Sequence, residues 1–185
     1  EKANASALKD VLTPIKFQST SQNTALNNAT LTELMEHFDT MSLHNDAFEF
    51  PDLLGAAYEY LIKNFADATK KKGGEFYTPS QVVRLMVNLL DPQEGHEIYD
   101  PTAGSGGMLI ESMRHVEEHG GDSSKCSLAG QEIIQATWMI SKMNMILHGI
   151  SSADLRRGDT LEDPLHRKSN NGVETLRLFD RVIAN

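Results

Sequence analysis

The chain has 185 residues with 17 Lys or Arg and 26 Asp or Glu, which gives a formal charge of −9 at pH 7. This length predicts one or at most two domains, and 39% apolar residues suffice for a packed core, which excludes wholesale disorder. Its single cysteine, Cys126, excludes an internal disulfide framework, and the lack of an apolar run of ~20 residues argues against a membrane span and favours a cytoplasmic protein.

The first part of the chain predicts an irregular arm followed by helices. In the polar stretch before Thr30, apolar side chains do not recur at a regular spacing. After Thr30 they recur at the spacing of a helix. A second helix with a broad apolar face is predicted from Pro51. It ends in the charged, glycine-containing linker Lys70–Gly74. We therefore predict an N-terminal arm and helical domain over residues 1–72 and a second domain over residues 73–185.

Beyond the linker, short apolar strands alternate with amphipathic helices. Such alternation is typical of an α/β fold with a parallel, doubly wound, Rossmann-like sheet. Only about four strands of such a sheet are present, and we expect the sheet to be truncated at Asn185. In chain order, the predicted elements are a helix from near Thr78, a strand at Glu97–Tyr99, a helix from Met108 to about Glu118, a strand at Ser127–Gly130, a helix that ends at Gly149, a strand around residues 153–155 and a last strand at Phe179–Ala184.

The loop from Asp100 to Gly107 carries the strongest local signal for a ligand. It follows a strand and opens a helix, and its glycines lack Cβ, so the backbone can turn sharply and a ligand can approach closely. The amides at the N-terminus of the following helix favour an anionic ligand group. The same glycines also fit an ordinary strand–helix turn, so the loop alone does not decide between a binding site and a structural turn.

Two acidic residues strengthen the interpretation as a binding site. Glu132 follows the next strand, where Rossmann-type folds place an acid on ribose hydroxyls. Asp159 follows the third strand, where a carboxylate can accept a hydrogen bond from an adenine amino group. The three features in chain order predict a nucleoside-binding crevice. NAD and S-adenosylmethionine both suit such a crevice, but the glycines run Gly-Ser-Gly-Gly and do not match the G-x-G-x-x-G pattern.

The order of several motifs resembles that of a known family. Over about residues 30–185, it resembles the N6-adenine DNA methyltransferases, and more narrowly the modification subunit of type I restriction-modification systems. The motifs are Gly-Gly-Glu-Phe-Tyr-Thr-Pro from Gly73, Asp-Pro-Thr-Ala-Gly-Ser-Gly-Gly from Asp100, Gly-Gln-Glu from Gly130, Gly-Asp-Thr-Leu from Gly158, and a strand that ends at Asn185.

The resemblance implies an adenine-N6 DNA methyltransferase that is site-specific, uses S-adenosylmethionine and needs no metal. Asn185 would be the catalytic residue, because it would open the family's Asn-Pro-Pro-aromatic motif that receives the flipped target adenine. The rest of that motif is absent here, so we expect an incomplete catalytic site. The implied cofactor-binding residues are Glu75, Phe76, Tyr77, Thr78, Pro79, Ser80, Asp100, Thr102, Gly104, Ser105, Gly106, Gly107, Glu132 and Asp159.

The resemblance also implies partners. Modification subunits of this family work with a DNA-sequence specificity subunit, usually two to one, and with a restriction translocase subunit, and they reach double-stranded DNA through that complex. The acidity of the chain agrees with this division of labour, because phosphate contacts need clustered Lys and Arg. Two alternatives stay open: a stand-alone or fused adenine methyltransferase, and a NAD- or nucleotide-binding Rossmann-type module.

Two smaller features have simpler interpretations. His115 and His119 lie four residues apart on one predicted helix, and we expect a surface pair because no third metal ligand is evident. Phe76 or Tyr77 can lie against a sulfonium as a cation–π partner. Packing in the core is the more common role for such a ring.

Overall fold

A computed structural model of the chain describes Val11 and residues 28–42, 53–68, 77–170 and 172–185. The helices are α1 (Asn28–Asp39), α2 (Leu53–Ala68), α3 (Ser80–Leu90), α4 (Gly107–Glu118) and α5 (Gln135–Leu147), with a 3-10 turn at Ser123–Lys125. The strands are β1 (Glu97–Asp100), β2 (Ser127–Glu132), β3 (Asp154–Arg157), β4 (Arg167–Asn170), β5 (Val173–Leu176) and β6 (Arg181–Val182). Within the described part of the chain, no helix is both long enough and apolar enough to cross a membrane.

Four strands form one parallel sheet in the order β3-β2-β1-β6. In its register, Ile98 of β1 lies opposite Leu128 of β2, and Gly130 of β2 lies opposite Leu155 of β3. Parallel neighbours need crossover connections, and α4 and α5 supply them between β1 and β2 and between β2 and β3. The carboxyl ends of these three strands therefore meet at one edge of the sheet, where open α/β sheets bind their ligands.

Apolar side chains fix three helices to the sheet. The main core joins Ile98 of β1, Leu109 and Ile110 of α4 and Met145 of α5, each of them 2% exposed or less. Burying one side chain of this size contributes about 1.5–3 kcal/mol, so the cluster holds α4 and α5 firmly in place. A second buried cluster joins α3, the start of α4 and the residue after β6 through Val83, Val87, Met108 and Ile183.

The central strand β2 also positions the loops at its carboxyl end. A Cβ added to Gly130 would lie 2.7 Å from Leu155 Cδ2 and 3.0 Å from Ala103 Cβ, so the glycine allows the β1–α4 loop to approach the strand. The next residue, Gln131, is fully buried; its Nε2 donates to the carbonyl oxygen of Asp163 and its Oε1 accepts from the amide of Leu165, both at 2.9 Å. Because a buried amide is costly unless it is paired, these bonds anchor the loop after β3.

The predicted α/β class with a parallel sheet is confirmed, and two details differ. The last strand, predicted at Phe179–Ala184, pairs with β1 only at Arg181–Val182. The antiparallel hairpin of β4 and β5 was not predicted, because residues 173–176 are all exposed and show no alternation of buried and exposed side chains. The predicted linker Lys70–Gly74 and most of the predicted arm lie outside the described residues.

Candidate functional site

A cavity of about 370 Å³ lies at the carboxyl edge of the sheet, beside the loop that joins β1 to α4. Small-molecule sites usually have volumes of about 300–1,000 Å³, so the cavity has room for a nucleoside-sized ligand. Segments that are distant in the sequence build its walls. Ten of the predicted site residues line it: Tyr77, Thr78, Pro79, Ser80, Asp100, Thr102, Gly104, Ser105, Gly107 and Asn185.

Backbone hydrogen bonds hold the β1–α4 loop against β2. The amide of Ala103 donates to the carbonyl oxygen of Gln131 at 2.9 Å, and the amide of Gly106 donates to the carbonyl oxygen of Ala103 at 2.7 Å. Gly106 has a φ of 82°, a left-handed conformation that favours glycine. A Cβ added there would lie 2.8 Å from Met145 Cε, so the glycine also lets α5 pack against the turn. As a result α4 begins at Gly107 with its first turn beside the cavity.

The carboxylate of Glu132 joins the end of β2 to the glycine loop. Its Oε2 accepts from the amide of Gly104 at 3.0 Å, and its Oε1 accepts from the amide of Ile134 at 2.8 Å. The residue is 7% exposed. Two amide donors in a sheltered place fix the direction of the carboxylate, so the acid and the loop form one rigid edge of the site.

Asp100 ends β1 at the floor of the cavity and is only 2% exposed. Burial raises the pKa of its carboxyl to about 7, and the nearby Glu132 adds to the rise. The backbone amide of Thr102, at 2.9 Å from Oδ1, and the Thr102 hydroxyl act in the opposite direction. Near neutral pH this carboxyl therefore exchanges a proton easily, as functional-site carboxyls often do.

Thr78, in the segment before α3, contacts Asn185, and both residues line the cavity. The side-chain amide nitrogen of Asn185 donates to the hydroxyl of Thr78 at 3.3 Å, across 107 positions of sequence. The Thr102 hydroxyl donates to the carbonyl oxygen of Asn185 at 3.3 Å. These bonds bring together three residues that the sequence had assigned to one site from separate motifs.

Several lining residues were missed by the sequence analysis. On α4, Glu111 and Arg114 follow Gly107 by four and seven positions, so one helix face carries all three toward the cavity. That spacing was a usable signal. The contribution of α2, which lines the cavity with Glu59 and Ile62, had no such signal because it depends on how α2 packs. The other missed lining residues are Val83, Ala103, Met108 and Asn144.

The model of the family described as N-6 DNA Methylase matches residues 49–185. The chain belongs to the N-6 DNA methylase family. It is 40% identical over 99 residues to the type I restriction enzyme HindI methylase subunit of Haemophilus influenzae, with 54% of this chain and 22% of that protein covered. It is 32% identical over 178 residues to the MjaIX methylase subunit of Methanocaldococcus jannaschii, with 96% and 29% covered.

Solved structures of related subunits show the same fold as this chain. The methyltransferase subunit of the type I restriction-modification system from Streptococcus thermophilus superposes with a TM-score of 0.67 at 29% identity, over 86% of this chain and 34% of that one. A modification subunit of a putative type I restriction enzyme from Vibrio vulnificus gives 0.63 at 27% identity, over 86% and 32%. The sheet is therefore a Rossmann-like methyltransferase sheet, and the chain spans roughly a third or less of the length of these four relatives.

Three predicted site residues that the structure describes do not line the cavity of this N-6 DNA methylase chain: Gly106, Glu132 and Asp159. Glu132 lies behind the loop, where it accepts from the amide of Gly104. Gly106 supports the loop from behind and faces α5. Asp159 lies after β3, and its Oδ1 accepts from the amides of Leu161 at 2.9 Å and Glu162 at 3.3 Å. Its neighbour Gly158 donates to the carbonyl oxygen of Glu132, so Asp159 still lies at the same edge of the sheet. The predicted residues Glu75 and Phe76 lie outside the described residues.

The histidine pair on α4 differs from the expectation. His115 is 5% exposed, so the expected surface position is wrong for this residue. Its Nδ1 lies 3.1 Å from Asn88 Oδ1 and its Nε2 lies 3.2 Å from Asp91 Oδ1. His115 therefore ties α4 to the end of α3. Among the described residues, no group of three or more His, Cys, Asp or Glu side chains is arranged to hold a metal ion.

Proposed function

We propose that this chain is the cofactor-binding part of a site-specific adenine-N6 DNA methyltransferase, the modification subunit of a type I restriction-modification system. The observation that carries the proposal is the bond between Glu132 and the amide of Gly104. It joins an acid at the end of β2 to a glycine loop at the end of β1, which is the arrangement that nucleoside cofactors need in this type of sheet. Membership of the N-6 DNA methylase family supports the chemistry.

The residues at the cavity fit S-adenosylmethionine as the cofactor. Asn144 is 1% exposed and lines the cavity; its Nδ2 donates to the carbonyl oxygen of Ser105 at 3.0 Å, and its buried Oδ1 has no hydrogen-bond partner among the described residues. A buried acceptor without a donor is costly, so a polar group missing from the site is the simplest explanation. When bound, this cofactor supplies a methyl group that its sulfonium already activates, so no metal is proposed.

We assign the binding roles as follows. The carboxylate of Glu132 accepts hydrogen bonds from ribose hydroxyls, while Asp159 accepts one from the adenine ring of the cofactor. The segment from Glu75 to Ser80 and the loop with Asp100, Thr102 and Gly104–Gly107 surround the methionine part. Gly106 acts by letting the loop turn and by leaving space for α5.

Asn185 is the proposed catalytic residue. It lines the cavity, and a base that has left the duplex would meet the cofactor beside it. A conjugated adenine amino group is a poor nucleophile. A hydrogen bond from this amino group to the side-chain amide oxygen of Asn185 would favour the tetrahedral, reactive form of the amino nitrogen. Asn185 would therefore act by positioning and electrostatic stabilisation and not by covalent catalysis.

The proposed partners follow from the same assignment. A separate specificity subunit would select the DNA sequence, two copies of the methylating chain would join one such subunit, and a restriction translocase subunit would complete the system in the cytoplasm. The formal charge of −9 supports dependence on a partner for contact with double-stranded DNA.

Two measurements test the proposed function. Calorimetric titration of the chain should give binding of S-adenosylmethionine and none of NAD, and Glu132→Gln should weaken that binding about tenfold, because a neutral amide is a poorer acceptor for ribose hydroxyls. A longer protein that contains this chain should methylate adenine in a target duplex when a specificity subunit is present. Preferential binding of NAD would refute the proposal and favour a dinucleotide-binding module.

A further inference from the structure

A hydrogen bond joins the segment before α3 to the proposed catalytic residue. The side-chain nitrogen of Asn185 donates to the hydroxyl oxygen of Thr78 at 3.3 Å, and both residues line the cavity. Among the residues that the structure describes, the side-chain oxygen of Asn185 has no hydrogen-bond donor, and the hydrogen of the Thr78 hydroxyl has no acceptor. The bond therefore occupies the nitrogen of the amide and leaves its oxygen available to a ligand.

The two partners of this bond are attached to one buried apolar cluster. Thr78 precedes Pro79, which restricts the Thr78 backbone to extended conformations. The carbonyl oxygen of Pro79 accepts from the amide of Val83 at 3.1 Å in the first turn of α3. Val83 belongs to the same buried cluster as Ile183, two residues before Asn185, and these side chains are 7% and 4% exposed. Packed side chains therefore hold the hydroxyl and the amide close to each other.

We propose that Thr78 is a positioning residue, whose hydroxyl oxygen holds the side-chain nitrogen of Asn185 so that the amide oxygen faces the target amino group. The inference rests on the proposed function. It concerns the orientation of the catalytic amide, which the roles assigned above leave open. Thr78 acts through Asn185 and does not itself touch the target adenine.

The two orientations of the amide differ in what they offer to an adenine amino group. An amino group that carries two hydrogens needs an acceptor, and only the oxygen of the amide supplies one. If the Asn185 amide turned over, its nitrogen would set a donor against a donor, and the proposed stabilisation would be lost. A hydroxyl has one hydrogen and two acceptor lone pairs. Once a ligand or water accepts that hydrogen, Thr78 can only accept from Asn185, and the productive orientation is the one that remains.

Single-turnover methylation tests this role in a longer protein that contains this chain, with its specificity partner present and with S-adenosylmethionine at saturation for each variant. Thr78→Val removes the hydroxyl with little change in volume and should slow methylation about three- to tenfold, as expected for one net hydrogen bond. Thr78→Ser keeps the hydroxyl, so its rate should stay within about twofold of the unmodified protein. Saturation separates this effect from a change in cofactor affinity, which a parallel titration measures and which also reports that each variant is folded.

A double-mutant cycle with Asn185→Ala separates positioning from a general structural role. If Thr78 acts only through Asn185, Thr78→Val should change the rate of the Asn185→Ala protein less than about twofold. A loss of the same size in both backgrounds would show that Thr78 acts independently of Asn185. The matched control is Thr175→Val, which makes the same substitution on the exposed strand β5, outside the cavity lining, and should leave the rate unchanged.

The other outcomes count against the proposal. The positioning role is refuted by a normal rate for Thr78→Val, by a Thr78→Ser protein as slow as Thr78→Val, or by a Thr78→Val protein that cannot be saturated with cofactor. In these cases the proposed function stands as long as the unmodified protein methylates adenine. If Asn185→Ala methylates at the normal rate, the role of Asn185 and this inference fail together. If the unmodified protein does not methylate adenine, the proposed function itself fails.

Discussion

Replacing Asp100 with asparagine should raise the free energy of unfolding near neutral pH and change it much less near pH 4. The carboxyl is 2% exposed, and burial raises its pKa from the ordinary value of 3.8 to about 7. Between these two values the folded chain binds one more proton than the unfolded chain, so the stability that this group contributes falls as the pH rises. Asparagine has a similar shape and cannot ionise, so the variant escapes that loss.

The size of the effect follows from the two pKa values. Each pKa unit corresponds to about 1.36 kcal/mol, so the rise from 3.8 to about 7 costs the folded state about 4 kcal/mol once the carboxyl is fully charged. The difference in unfolding free energy between Asp100→Asn and the unmodified chain should therefore grow by about 1.4 kcal/mol for each pH unit from pH 4 to pH 7 and then level off.

Urea unfolding at several pH values between 4 and 8 measures this difference. Other titrating groups cancel, because they are the same in both proteins. A matched control is Asp39→Asn, which makes the same substitution at the exposed end of α1 and so reports effects of the substitution that do not depend on burial. A difference for Asp100→Asn that is constant across this range, or that shrinks as the pH rises, would show that burial does not govern the charge of this carboxyl.

The remaining predictions concern the turn before α4 and the end of the chain. Gly106→Ala should lower the free energy of unfolding more than Gly95→Ala does. Both positions have a positive φ, so an alanine at either costs about 1–2 kcal/mol in backbone strain, but only the Cβ at Gly106 meets a neighbour within 4 Å. Equal losses of stability in denaturant unfolding would contradict the packing of α5 on the turn. In a longer protein with its specificity partner, Asn185→Ala should slow single-turnover methylation about 10²–10³-fold with little change in cofactor affinity, and a normal rate or a loss of cofactor binding would place Asn185 in a different role.

The sequence was most informative where local chemistry decides the structure. Three features were predictable because each has a short sequence pattern. These are the buried strand before Asp100, the glycine-rich turn after it, and the acid Glu132 at the end of the next strand. The structure adds a cause for Gly106 that no pattern contained, namely the side chain of Met145 on α5. The role of a glycine that makes room for a distant helix becomes visible only after folding.

The sequence was less informative where tertiary packing decides. The hairpin of β4 and β5 has exposed strands without apolar alternation, so nothing in its residues indicated pairing. The wall formed by α2 was also missed, because a helix with a broad apolar face does not specify which surface it packs on. Glu59 enters the cavity only through that packing, and its sequence neighbours gave no sign of it.

The position of α2 has a thermodynamic consequence. This helix supplies Ile62 and Glu59 to the cavity, and Glu59 also lies 3.4 Å from His148 Nε2 at the end of α5. A ligand that contacts α2 changes the free energy with which this helix packs against the rest of the chain. By reciprocity, a change in the packing of α2 changes the affinity of the cavity for that ligand by the same factor. A protein that binds the outer side of α2 would therefore adjust occupancy of the cavity without touching it.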